Sequence, residues 1–125
     1  MGAWGIGPFD NDGVMDLIAE IRNGDFSFEG TRWAFDDPNY LEVDGGQRAV
    51  ALAALVRIIH QDPAAPASPL DADSLAAFAA QLTPESITWI HHELHRALSN
   101  REQSELFELW EESGSLDAWL AASFE

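Results

Sequence analysis

The stretch from Ala49 to Ile59 is apolar on almost every face that a helix could offer. Leu52, Leu55, Val56 and Ile59 make one stripe, while Ala49, Val50, Ala53 and Ala54 cover much of the remainder. Such a helix cannot lie on a surface and must be surrounded, so it belongs at the centre of whatever the chain folds into. Its expected start is Asp44-Gly45-Gly46, and its expected end is near Gln61, ahead of Asp62-Pro63. Arg48 is its odd member, a charge one turn before Leu52 on the same face.

The other segments supply material to surround it. Val14, Leu17, Ile18 and Ile21 recur at helical spacing and predict an amphipathic helix from about Asp12 to Arg22, with Asp10 or Asn11 as its cap and Asn23-Gly24 as its end. Between Asp25 and Glu42 no helical period survives, and Phe26, Phe28, Trp33, Phe35 and Tyr40 define an aromatic-rich loop that should lie on the core, with room for a small hairpin at Phe26-Ser27-Phe28. Three prolines between Asp62 and Pro69 make a short extended linker. A helix follows from about Asp71 to Leu82. Thr83-Pro84-Glu85 then reads as cap, first helical residue and early acid of a helix to about Leu98. Arg101 to Ser113, stopped by Gly114, and a last helix with Leu116, Trp119, Leu120 and Phe124 complete the set.

The sum is an all-α fold, a single irregular bundle of about six helices spanning residues 1–125, with an extended N-terminal segment. At 125 residues and 46% hydrophobic composition it can build a core without staples, and the absence of cysteine excludes disulfides, zinc thiolates and thiol catalysis. Met1 to Phe9 lacks the basic start and apolar run of a signal peptide, and no stretch approaches a membrane span, so a cytoplasmic protein is expected. There are 22 acidic residues against 6 basic ones, all arginine, for a net charge of -16. That balance disfavours direct binding to nucleic acid or a membrane and favours a basic partner.

Three groups of residues are candidate sites. Asp10, Asp12 and Asp16 bring hard oxygen ligands together near the first helix start, where they could hold a metal, be joined by Asp36-Asp37, or meet Arg48 as an ion pair. His91 and His95 stand one helical turn apart, a metal-ligand spacing, but the zinc-protease pattern fails at Arg96. Glu105, Glu108 and Glu112 share one face of the fifth helix with Trp110 nearby, and that face could dock a basic protein. No Gly-x-Ser-x-Gly elbow or phosphate loop is present. The expected function is a non-enzymatic interaction module without a cofactor, of the immunity or antitoxin kind; the alternative is a metal-dependent enzyme using the aspartate cluster.

The opening Met1-Gly2-Ala3-Trp4-Gly5-Ile6-Gly7-Pro8-Phe9-Asp10-Asn11-Asp12 resembles the bacterial family catalogued as domain of unknown function 4259. Tyr40-Leu41-Glu42 leading into Arg48 to Ile59, and Ser104 to Gly114, are similar to it as well. The resemblance implies a small bacterial cytosolic protein and implies no reaction.

Overall fold

The computed structural model describes residues 7–63 and 65–123. The expected all-α bundle is what the chain forms. In order come α1 (Asp12–Arg22), a 3-10 turn (Arg32–Phe35), α2 (Val43–Ile59), α3 (Ala72–Ala79), α4 (Pro84–Ala97), α5 (Glu105–Ser113) and α6 (Leu116–Ser123). The described residues contain no strand. An isolated parallel bridge joins Leu41 to Ser104, and no hairpin forms at Phe26-Ser27-Phe28.

The all-round apolar helix sits in the middle. Every residue of α2 from Gly45 to Arg57 is buried. It packs most extensively on α4, and also on α1, α3, α5 and the 3-10 turn, while α6 is held through α5. One hydrophobic cluster draws on Val14, Leu17, Leu52, Leu55, Phe78, Ile90, Leu106 and Trp119 from all six helices. Gly45 and Gly46 make this crowding possible at the α2 start. A Cβ on Gly45 would run into the Ala34 carbonyl oxygen, and one on Gly46 would come within 2.9 Å of the Leu106 side chain. The glycine pair therefore sets how closely the 3-10 turn and α5 approach the central helix.

Local chemistry explains the boundaries. Asn11 caps α1, its Oδ1 accepting the Val14 N–H at 2.9 Å. Of the two capping candidates Asp10 is displaced to a different task, its carboxylate accepting the Gly7 N–H at 3.1 Å. Thr83 and Ser86 form a reciprocal capping box ahead of α4, with Pro84 in its first turn. The fifth helix starts at Glu105 and not near Arg101, because Ser104 is taken by other partners. Its hydroxyl donates to the Ala97 carbonyl at 2.8 Å and accepts the Phe107 N–H at 3.2 Å, while the Glu105 N–H donates to Leu41 at 2.9 Å. α2 ends at Ile59, two residues early, with Gln61 in the left-handed region at φ 59°. Trp4, Ile6 and Phe124 lie outside the described residues; Phe9 is half-buried against the core.

Candidate functional site

The aromatic loop covers the core as expected, with one exception. Phe26, Phe28, Phe35, Phe78 and Trp89 interlock through ring contacts of 4.9 to 6.2 Å, all of them tilted or edge-on. Trp33 points the other way and is 55% exposed, one of two large hydrophobic side chains in the open among the described residues. The 3-10 turn explains the split. With about three residues per turn, Arg32 and Phe35 fall on one side, toward Trp89, and Trp33 falls on another.

Arg48 fixes the inner side of this ring. Its guanidinium donates to Glu20 at 2.7 and 3.5 Å and to the Thr31 hydroxyl at 3.0 Å, and its Cζ lies 5.2 Å from the centre of the Trp33 ring. The charge carried into the bundle by α2 is thus met by Glu20, not by Asp10, Asp12 or Asp16. Asp12, Asp16 and Glu20 all lie on α1, and the packing of α1 on α2 brings Glu20 against the guanidinium. A buried guanidinium needs such a partner, since desolvation would otherwise be prohibitive. One residue ties α1, the loop, the turn and α2 together.

Trp33 borders two small cavities. The first, about 150 Å³, is lined by Trp33, Ala34 and Tyr40 together with four acidic residues, Asp36, Asp37, Glu42 and Asp44; the Asp37 carboxylate also accepts the Asn39 N–H at 2.8 Å. The second, about 80 Å³, lies between Trp33, Asp44, Asp16, Gly13 and Arg48. Arg96 holds the far wall, donating to the Asp37 carbonyl while its other amine pairs with buried Glu93 at 2.7 Å. Among the described residues, none of Asp16, Asp36, Asp37, Glu42 or Asp44 forms a salt bridge. The arginines are engaged elsewhere: Arg22 on the Pro69 carbonyl, Arg32 on Trp89, Arg57 on Asp62 and Arg101 on Glu108 and Glu111. The negative field extends beyond the cavity. The Tyr40 phenol is held above its ordinary pKa by burial first, and then by Glu105, Glu108 and Glu42.

The residues expected from the sequence are placed differently. Asp10 is turned back onto Gly7, Asp12 is exposed in the first turn of α1, and only Asp16 faces the Trp33 corner. His91 is half-buried and His95 exposed on α4. Among the described residues no three His, Asp or Glu side chains come close enough to share a metal ion, so neither set is assembled as a metal centre. Trp110 is removed from the α5 docking face: it is 7% exposed and stacks on Trp119 at 6.0 Å, because Leu106 and Trp110 form the inner stripe of that helix. Glu105 is partly committed as well, its carboxylate accepting the Val43 N–H at 2.8 Å and so satisfying the first turn of α2. Glu108 pairs with Arg101 at 3.4 Å, and Glu112 is exposed.

Trp33, Tyr40, Glu42 and Asp44 were not singled out by the sequence pattern as a site, and Asp36-Asp37 entered only as an addition to the aspartate cluster around Asp10, Asp12 and Asp16. The available signal was the position of Trp33 just ahead of Asp36-Asp37-Pro38-Asn39, an aromatic beside unpaired acids. No helix among the described residues is long and apolar enough to cross a membrane. The sequence profile of the family described as Domain of unknown function (DUF4259) matches residues 2–122. No curated protein and no solved structure matches the chain.

Proposed function

We propose, for a chain that belongs to the family described as Domain of unknown function (DUF4259), the role of a non-enzymatic interaction module that docks a basic protein on the acidic corner around Trp33. The observation that carries the proposal is the pairing of a 55% exposed tryptophan with carboxylates that have no cationic partner among the described residues. Tryptophan is the side chain that most often anchors a protein interface, and an acidic rim speeds encounter with a positive surface. The net charge of -16 gives the whole molecule the same preference. A partner of this kind is one that itself grips nucleic acid, and the module then acts in the cytoplasm as an inhibitor covering a positive cleft, in the manner of an immunity or antitoxin protein.

The test is affinity capture from cells of the source organism at low ionic strength, run in parallel with wild type and Trp33→Ala. A basic protein retained by the wild type, released as salt is raised, and lost with Trp33→Ala is the expected result. Equal retention by both forms, or the capture of no basic protein at all, overturns the proposal.

A further inference from the structure

We infer that the cavity beside Trp33 receives an arginine side chain of the basic partner, the guanidinium stacking on the outer face of the ring and donating to the carboxylates around it. The inference deepens the docking role proposed above and rests on it. Size argues first. A cavity of about 150 Å³ holds the tip of one side chain and is far below the roughly 300 Å³ at which pockets for whole small ligands begin. Charge narrows the choice to a cation, because Asp36, Asp37, Glu42 and Asp44 line the wall and have no salt bridge among the described residues.

The choice between an ammonium and a guanidinium follows from the wall. An ammonium is a compact, strongly hydrated charge that any exposed carboxylate on this surface would satisfy equally well. A guanidinium is planar, weakly hydrated and able both to stack on an indole and to donate in a fork to carboxylates. The protein already displays that combination on the same residue: Arg48 lies 5.2 Å from the ring centre while donating to Glu20 at 2.7 Å. Glu20 neutralises Arg48, so the internal cation leaves the ring able to attract a second one from outside. The platform is also pre-set. Arg48 holds Thr31 and the Trp33 ring, and Arg96 holds the Asp37 backbone, so binding has little loop ordering to offset.

Calorimetric titration of the full chain with hexa-arginine and hexa-lysine peptides tests this, because the two carry equal charge and differ in the cation. Wild type is expected to bind hexa-arginine roughly tenfold more tightly than hexa-lysine. Trp33→Ala should erase that preference and keep a weaker, salt-dependent binding of both peptides, whereas Trp33→Phe should keep part of the preference. The double variant Asp36→Asn/Asp37→Asn should weaken both peptides. Equal binding of the two by wild type, with salt dependence intact, overturns the arginine site and leaves the acidic docking surface standing. Binding of neither peptide at low salt overturns both. Circular dichroism of each variant shows whether a loss reflects unfolding, and Trp33→Phe carries the decision if Trp33→Ala unfolds.

Discussion

Two acidic corners of this molecule each contain a tryptophan, and they are built to opposite plans. On α5 the tryptophan is inside, Trp110 stacking on Trp119, and the acids answer to the chain itself: Glu105 to the Val43 amide, Glu108 and Glu111 to Arg101. At the 3-10 turn the tryptophan is outside, and Asp36, Glu42 and Asp44 have no internal cation among the described residues. Similar residue types thus serve cohesion in one place and stand unanswered in the other. An acid beside an aromatic says little until it is known which of the two has been folded inward.

The largest expected effect separates the two tryptophans. Trp110→Ala should cost about 3 kcal/mol of unfolding free energy, the usual loss for truncating a buried aromatic. Trp33→Ala should cost less than about 1 kcal/mol, chiefly the contact with Arg48. Urea unfolding followed by circular dichroism measures both. Comparable losses at the two positions would abolish the distinction on which the docking proposal stands.

Next come the adjacent glycines, which serve the two corners separately. Gly45→Ala and Gly46→Ala should each cost about 1 to 3 kcal/mol through overpacking, with Gly45→Ala the worse. Both contacts are with atoms fixed by the backbone, but the Ala34 carbonyl oxygen is far inside contact distance of a Cβ on Gly45, whereas the Leu106 Cβ facing Gly46 is at 2.9 Å and calls for a smaller shift. The same unfolding measurement ranks them. A larger loss at Gly46 would mean that the Trp33 corner yields more readily than the α5 corner.

Much of this architecture was legible beforehand, and the reasons are physical. The central position of α2 follows from its apolar content, and the starts of α1 and α4 follow from capping chemistry confined to a few neighbouring residues. What escaped was long-range. Nothing within the 12–22 pattern says that Glu20, and not Asp16, would reach Arg48, because that depends on the packing of α1 on α2. Ser104 hides its role in the same way, since Leu41 comes from a distant part of the chain and Ala97 from the end of the preceding helix. Trp33 is the plainest case. In a loop without a period, sequence offers no phase to say which aromatic faces out, and the 3-10 turn supplies that phase only once it is formed.

A smaller effect divides the acids themselves. Glu105→Ala should cost about 1 kcal/mol, as a lost helix-end acceptor does, because it leaves the Val43 amide without its partner. Glu108→Ala should change stability by less than about 0.5 kcal/mol, since its bond to Arg101 is exposed and screened. Asp36→Asn should cost nothing and could add slightly by relieving repulsion at the turn. Chemical denaturation of the three variants orders them. A loss at Asp36 as large as that at Glu105 would show that the turn acids answer to the fold after all.

The smallest effect asks whether the corners are electrically joined, and Tyr40 lies where it can report. Its phenol is raised by burial, then by Glu105 and Glu108 from α5 and by Glu42 from the cavity wall. Absorbance titration should therefore place its midpoint above the ordinary value of about 10. The direction also fixes its share in stability. The unfolded chain loses this proton first, so the stabilisation is present below about pH 10 and fades as pH climbs through the raised value. Added salt should lower the midpoint toward 10 by screening the carboxylates, and Glu105→Gln with Glu108→Gln should lower it further while leaving the burial contribution. A midpoint indifferent to both changes would mean that the α5 acids do not reach the Trp33 corner. A basic partner would then meet two separate patches, and the acids of α5 would add nothing to its capture at the tryptophan.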